Sequence, residues 1–470
     1  MAEQKKGNFK YVIFLSVVGA IGGFLFGYDT AVISGTIQQV TYLYMLNDVE
    51  TGWYVGCALI GSIIGVSFAG IISDRLGRRL SLWVAAALFT VSAFGCMVAS
   101  DFYMLVFARM LGGMGIGVAS IVSPLYISEV SPSRYRGTLV TLYQLAVTVG
   151  IVASYIVNAR VLHWSQTITF DQQWLNFVLK EQPWRGGMLG MQTIPAALFF
   201  LVLFLIPESP RWQIARNKVD KAVKTMTTLF GESEAKLQIK ETQDMLSSEE
   251  KTDWRILFKP GYRIALFIGV CLAILGQFMG VNAIFYYGPI IFSEAGMEAQ
   301  GSLDFQIIVG IVNVLSTILG GMYLVDRIGR KKLVYIGVSG MFVMLIAIGI
   351  FFNIGINNPV VLLGMIMTYI FFSAISISVV IWVLLSEMYP VKVRGVAMSC
   401  AGFSLWIGTY LIGQLTPVLL NGVGASVTFW IFACMCIPYI AITYFLVPET
   451  TGKSLEEIEK MWQTKEKQTK

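Results

Sequence analysis

The stretch Ser128-Glu129-Val130-Ser131-Pro132-Ser133-Arg134-Tyr135-Arg136-Gly137 returns later in the chain as Ser386-Glu387-Met388-Tyr389-Pro390-Val391-Lys392-Val393-Arg394-Gly395. Two further motifs repeat in the same order. Asp74-Arg75-Leu76-Gly77-Arg78-Arg79 becomes Asp326-Arg327-Ile328-Gly329-Arg330-Lys331, and Pro207-Glu208-Ser209 becomes Pro448-Glu449-Thr450. The offsets, from 129 to 387, from 74 to 326 and from 207 to 448, are 258, 252 and 241 positions. Three motifs in one order at one approximate period mark an internal duplication of about half the chain.

The segments between the motifs fix the class. Apolar windows lie near 11–34, 52–73, 80–100, 102–127, 137–158 and 187–206, then near 262–290, 303–325, 332–353, 360–386, 395–420 and 426–447. Each approaches the roughly 20 residues that a helix needs to cross about 30 Å of hydrocarbon. The expectation is an all-α membrane protein of twelve transmembrane helices, in two six-helix bundles related as parallel repeats about the membrane normal. The bundles cover 1–207 and 261–450, joined by an amphipathic, charged helical linker over 208–260 and followed by a tail over 451–470. A solute site then belongs near the bilayer midplane, between the bundles.

Composition agrees. Hydrophobic residues make up 56% of the 470 and charged residues 13%, about half the charged share of a soluble domain. The net charge of +6 does not point to nucleic acid, because its carriers are grouped. Lys5, Lys6 and Lys10, Arg75 to Arg79, Arg134 and Arg136, Arg327 to Lys332, and Lys392 and Arg394 all sit on alternate connections. The intervening connections lack Lys and Arg, apart from the long 159–186 segment with Arg160, Lys180 and Arg185. This positive-inside pattern puts both termini in the cytoplasm of a plasma membrane protein. The first apolar window carries Asp29 and is followed by no small-residue cleavage site, so it reads as a retained span.

Several features are read as structural. The six cysteines (Cys57, Cys96, Cys271, Cys400, Cys434, Cys436) fall inside apolar runs without metal-ligand spacing and serve as small packing residues. Gly113-x-Gly115-x-Gly117 follows no strand and has no Lys-Ser/Thr partner, so it serves close helix packing and not phosphate binding. His163, the single histidine, is placed in an external loop. No nucleophile–base set is visible, so no enzyme and no cofactor is expected.

Three groups of residues carry mechanism. Asp29 and Arg109 are ionisable residues inside apolar spans, where a charge costs at least about 2.5–3.5 kcal/mol unless it is partnered. Arg109 stays charged; a protonated Asp29 would release it and a deprotonated one would hold it, which suits proton coupling. Gln144, Gln277, Asn282, Tyr286, Tyr287, Asn313, Trp382 and Trp406 supply neutral hydrogen-bonding or aromatic groups at midplane depth. Amides both donate and accept, which suits a polyhydroxyl solute, and Gln277, Asn282 and Tyr286 share one broad face of the seventh span. Finally, Asp74, Arg78, Glu129, Arg136, Glu208, Arg330, Glu387 and Arg394 stand at the mouths of spans. Glu129 with Arg136 and Glu387 with Arg394 are the expected ion pairs of a cytoplasmic gate, each worth about 0–1 kcal/mol and therefore breakable.

These residues carry a resemblance that covers nearly the whole chain. Gly22-Gly23-Phe24-Leu25-Phe26-Gly27-Tyr28-Asp29-Thr30, Pro207-Glu208-Ser209-Pro210-Arg211-Trp212 and Pro448-Glu449-Thr450-Thr451-Gly452-Lys453-Ser454 resemble the sugar porters of the major facilitator superfamily. The first stretch looks like that of bacterial proton–xylose symporters. An Asp at that position is associated in the family with proton coupling, where facilitative glucose transporters carry a neutral residue.

The resemblance implies import of a pentose or hexose with a proton by alternating access, in a chain working as a monomer. It also implies that Gln144, Gln277, Asn282, Tyr286, Asn313, Trp382 and Trp406 line the sugar site. The alternatives are a facilitative uniporter, with Asp29 and Arg109 structural, and a transporter-like sensor. This chain departs from the family pattern at Gly276, where a second Gln is usual, and at Ser378 and Val379, where Gly-Pro is usual. It departs again at Leu405 and Ile151, where polar residues are found, and by one extra residue between Asn313 and Asp326. Missing partners leave sugar hydroxyls unpaired at about 1–3 kcal/mol each, so xylose is only one candidate, beside another pentose, a hexose or a less polar polyol.

Overall fold

The computed structural model describes residues 7–132, 134–168, 171–248, 260–389 and 394–447. Pro390 and Lys392 of the second Ser-Glu motif, the Pro-Glu-Thr copy at 448–450, the tail, and residues 249–259 of the linker lie outside the described residues. Among the described residues eleven helices are long and apolar enough to span a membrane. In the first half they are Phe9–Gly35, Asp48–Leu76, Arg78–Val98, Phe102–Val130, Arg136–Thr167 and Trp184–Leu205. In the second they are Arg263–Glu294, Ala299–Leu319, Arg330–Ile354, Pro359–Leu385 and Arg394–Phe445. The last runs for 52 residues but breaks at Gly424, where φ is 84° and ψ is 160°. Glycine tolerates that conformation without penalty, and the break divides the helix into an eleventh and a twelfth span. The shortest spans, of 21 residues, extend about 32 Å at 1.5 Å per residue.

The fifth span outruns its expected end. No glycine or proline interrupts 158–167, and the helix continues to Thr167, so Arg160 and His163 lie on it. His163 is therefore an exposed residue of a helix and not of a loop. The sixth span opens irregularly, with a π turn over Trp184–Leu189 and a 3-10 turn over Gly190–Gln192 before regular helix over Thr193–Val202.

The chain falls into two compact units, Met1–Val32 with Cys57–Lys251 and Ile33–Gly56 with Thr252–Lys470. Residues 33–56, assigned by sequence to the first bundle, cluster with the second unit. The packing order repeats. The first span lies against the fifth and the third against the fourth; in the second unit the seventh lies against the eleventh–twelfth helix and the ninth against the tenth. Small residues set how close these pairs come. A Cβ at Gly113 or Gly117 would strike the carbonyls of Ala58 and Ser62, and one at Gly61 or Gly65 would strike those of Met110 and Met114. The glycine run thus brings the backbones of the second and fourth spans into contact, as small residues do in membrane helices.

Beyond the sixth span, Pro210–Ala215, Val219–Phe230 and Glu232–Ser248 form a small helical cluster. Ile214, Ala222, Met226 and Ala235 are its core, flanked by Phe230 and Ile239.

Proline and glycine interrupt the spans of the second unit, and at Pro289, Pro417 and Gly280 a side-chain donor meets the freed carbonyl. Proline has no N–H for the carbonyl four residues back. Pro289 leaves that of Phe285, and Gln306 Nε2 on the eighth span donates to Phe285 O at 3.4 Å and Ile284 O at 3.0 Å. Pro417 leaves that of Gly413, which accepts from the Tyr287 hydroxyl at 2.6 Å. The seventh span breaks at Gly280 (φ 89°), and Tyr369 of the tenth donates to Met279 O at 2.6 Å.

A buried carbonyl without its donor costs about 1–3 kcal/mol. Tyr287→Phe should therefore destabilise the protein by that order. Pro417→Ala in the same chain, which restores a helical N–H to Gly413, should recover most of the loss. Thermal unfolding of the single and double variants in detergent checks this.

Candidate functional site

In the first unit, Asp29 on the first span and Arg109 on the fourth are both 2% exposed. The Asp29 carboxyl has Arg109 and Gln192 for its charged and polar neighbours. Arg109 in turn hydrogen-bonds Cys57 on the second span. A Cβ on residue 112 would stand 2.5 Å from Ser92 Oγ and 3.3 Å from Asp29 Oδ1, so Gly112 is what lets the carboxyl approach the fourth span. Asp29 Oδ2 is buried and accepts no hydrogen bond from the described residues. Chemically, this is an acid beside a permanent cation with one oxygen left open.

Helix-to-helix bonds hold the arrangement. Tyr28 donates to Met188 O at 3.5 Å on the sixth span, and Asn158 Nδ2 of the fifth donates to Val32 O at 3.1 Å. Gln192 was missed by sequence reasoning, although it is an amide inside an apolar span like Gln144. Gln144 itself is half-buried on the fifth span, near where Gly23 of the first span meets Tyr143.

In the second unit, Gln277 Oε1 accepts from Asn282 Nδ2 at 2.7 Å and from Thr409 Oγ1 at 3.2 Å. The break at Gly280 lies between the two amides and permits this bond. Thr409, on the eleventh span and 4% exposed, carries no signal in the sequence that separates it from other helical threonines. Tyr286 (2% exposed) follows on the same seventh span, and Trp406 is buried one turn before Thr409. Trp382 on the tenth span is 40% exposed.

Asn313 is buried on the eighth span. The extra residue between it and Asp326 coincides with a π turn over Gly320–Leu324. A π turn holds one residue more than an α turn.

The charged motifs form a third arrangement, built twice. In the first unit, Arg78 grips Glu129 through Nε at 3.0 Å and Nη2 at 3.1 Å, and reaches Asp74 at 3.3 Å through Nη1. Glu208 accepts from the backbone N–H groups of Arg78 (2.8 Å) and Arg79 (3.1 Å), the unpaired start of the third span. Gly77, at φ 96°, leaves room for that carboxylate. In the second unit Arg330 holds Glu387 at 3.0 Å. The basic residue next to each Arg caps the helix that closes its half: Arg79 donates to Leu203 O and Phe204 O, and Lys331 to Tyr444 O and Val447 O.

The partners differ from those expected. Glu129 pairs with Arg78 and Glu387 with Arg330, while Arg136 Nε donates to Ser128 O at 3.1 Å and Arg394 to Tyr389 O at 3.3 Å. Both carbonyls lie at helix ends, where unpaired C=O groups and the helix dipole attract a cation. Each of these ion pairs joins helices of one unit.

Comparison with known proteins places these features. The family described as "Sugar (and other) transporter" matches residues 15–462. The arabinose-proton symporter of Bacillus subtilis (strain 168) is 38% identical over 452 residues, covering 96% of this chain and 95% of that protein. The D-xylose-proton symporter of Escherichia coli (strain K12) is 35% identical over 495 residues, covering 98% of each. The inward open conformation of the xylose transporter XylE from E. coli matches with a TM-score of 0.83 at 32% identity, over 96% of this chain and 100% of that one.

Two measurements test the charged arrangement. Removing one partner of a buried ion pair costs about 3–5 kcal/mol, and the Arg78 and Glu129 side chains are only 12% and 7% exposed. Arg78→Met should thus cost more stability than Arg330→Met, whose pair is 19% and 23% exposed. Burial holds the Glu208 carboxyl above the usual glutamate range, against the pull of three backbone N–H groups and Arg78. A raised folded value means stability that is full below the unfolded value and lost as pH rises through the folded one. The stability of the wild type relative to Glu208→Gln should fall across that window and be level on either side; a difference flat with pH would refute the assignment.

Proposed function

The chain belongs to the sugar transporter family, and we propose that it imports a monosaccharide, pentose or hexose, together with a proton by alternating access. The observation that carries this reading is the buried Asp29 beside Arg109, with one carboxyl oxygen open to a proton. Arg109 cannot give up its charge, so the pair changes its net charge only at Asp29. In the deprotonated state the carboxylate holds the guanidinium. A proton on Oδ2 neutralises the acid and frees Arg109 to move with its helix, which couples proton occupancy to the conformational cycle. Gln192 and Cys57 complete the polar surroundings of the two charges.

Gln144, Gln277, Asn282, Tyr286, Asn313, Trp382 and Trp406 are the residues assigned to the sugar, amides for its hydroxyls and aromatic faces for its C–H side. The bundles 1–207 and 261–450 are the moving bodies, linked by 208–260. Asp74, Arg78, Glu129, Arg136, Glu208, Arg330, Glu387 and Arg394 form the gate at the cytoplasmic face. The bonds of that gate within each unit support a stiff rim on which a weaker contact can open and close. Clustering of Lys and Arg on alternate connections supports a plasma membrane placement, of the bacterial inner membrane type, with both termini cytoplasmic.

The test is uptake of labelled D-xylose, arabinose and D-glucose into proteoliposomes, with and without an inward proton gradient. One sugar should accumulate above equilibrium only with the gradient. Asp29→Asn should keep counterflow exchange and lose accumulation. Equilibration without accumulation in the wild type would make this a uniporter, and accumulation by Asp29→Asn would remove the carboxyl from the coupling step.

A further inference from the structure

Thr409 ties the two amides of the second unit into one hydrogen-bonded chain. Its hydroxyl has two acceptors within reach, Leu405 O at 2.9 Å and Gln277 Oε1 at 3.2 Å, but only one hydrogen to give. The Gln277 carbonyl oxygen receives Asn282 Nδ2 at 2.7 Å as well. With Thr409 donating to Gln277, the Gln277 Nε2 and the Asn282 Oδ1 are what remain for a ligand. A half-turn of both amides gives the reverse chain. Thr409 then donates to Leu405, Gln277 Nε2 donates to Thr409 and to Asn282 Oδ1, and the groups left over are Gln277 Oε1 and Asn282 Nδ2. The amides cannot turn singly, since either alone would set donor against donor or acceptor against acceptor. The three side chains therefore behave as one unit with two polarities, and the Thr409 hydroxyl turns between its two acceptors to match either one.

The surroundings keep the unit tight. A Cβ on residue 408 would lie 3.2 Å from both Cβ and Cγ of Gln277, so Gly408 allows the stem of Gln277 to rest on the eleventh span beside the threonine. The Tyr287 hydroxyl, bonded to Gly413 O one turn further along, ties the same two helices and leaves them little freedom to slide. What can change is the direction of the hydrogen bonds.

We propose that Thr409 is a positioning residue that holds the Gln277 amide, and through it Asn282, in the place from which the pair presents its donors and acceptors to the sugar, and so tunes which sugar is preferred. The proposal rests on the reading that these amides face the substrate. Thr409 itself acts through Gln277 and needs no contact with the sugar. A hydroxyl is sufficient for this role, so serine serves and valine, of the same shape, does not.

The experiment is counterflow exchange of D-xylose, arabinose and D-glucose in proteoliposomes by the wild type, Thr409→Val, Thr409→Ala and Thr409→Ser, each also in a Gln277→Ala background. Thr409→Val is expected to raise the KM of the best of the three sugars about tenfold. It should leave the maximal rate within about twofold and narrow the preference among the sugars, because a single well-made hydrogen-bond set is lost. Thr409→Ala repeats the test without inserting a methyl group, should valine impair folding. Thr409→Ser should return KM and preference to the wild-type values, and with Gln277→Ala in place the threonine variants should no longer differ from one another. Unchanged KM and preference in Thr409→Val and Thr409→Ala would overturn the proposal. So would a serine variant that behaves like alanine, or an effect of Thr409→Ala that persists in full without Gln277. A wild-type protein that exchanges none of the three sugars, although folded by its thermal unfolding, would instead overturn the transport reading on which the proposal stands.

Discussion

A peptide group inside hydrocarbon has no water to turn to, and this structure is organised by that constraint. At three places where a proline or a glycine interrupts a span of the second unit, a side chain from a neighbouring helix supplies the missing donor. Gln306 serves the carbonyl left by Pro289, Tyr287 the one left by Pro417, and Tyr369 the one at the Gly280 break. These bonds do two jobs at once. They permit the irregular backbone that sets Gln277 and Asn282 within reach of each other, and they staple the helices that carry the rest of the cluster. In the first unit, glycines do the equivalent work by backbone contact. Gly113 and Gly117 on Ala58 and Ser62 bring the second and fourth spans together, with Cys57 and Arg109 side by side as a result.

The duplication is strict at the helix ends and relaxed in their middles. Arg78 with Glu129 has its copy in Arg330 with Glu387, and the capping pair Arg79 and Lys331 share one equivalent carbonyl, Leu203 O and Tyr444 O. The buried acid–base pair occurs in the first half alone among the described residues, and the amide cluster in the second. A repeated frame thus carries two different interiors, one with a buried acid–base pair and one with a cluster of neutral amides. Helix ends must satisfy the same unpaired N–H and C=O groups in every copy. The interiors are under no such obligation, which is why they diverged.

Much of this was legible in the sequence. The windows of apolar residues gave the spans, the three motifs gave the duplication, and Asp29, Arg109, Gln277 and Asn282 stood out as polar residues in apolar company. The failures share one cause, that lateral neighbours across helices leave no periodic trace. Nothing in the spacing distinguishes Arg78 from Arg136 as the partner of Glu129, and Thr409 looks like any helical threonine bonding back to its own turn. Gln192 is different, since the criterion that selected Gln144 applied to it equally. The end of the fifth span was misjudged because polar residues after Asn158 read as loop, whereas the helix needed a glycine or proline to stop it and found none before Thr167.

The π turn at Gly320–Leu324 has a bearing on how such a chain varies over generations. An extra residue in an α-helix ordinarily rotates everything beyond it by about 100°, which in a packed bundle would turn every buried face outward. Here the surplus is confined to five residues, the first of which, Gly320, lies against the backbone of Ile375 on the tenth span. The eighth helix can therefore gain or shed one residue at this place while both of its ends keep their bearings. Length becomes a tolerated variable at one point of a span, and related chains are free to differ in residue count there without differing in architecture.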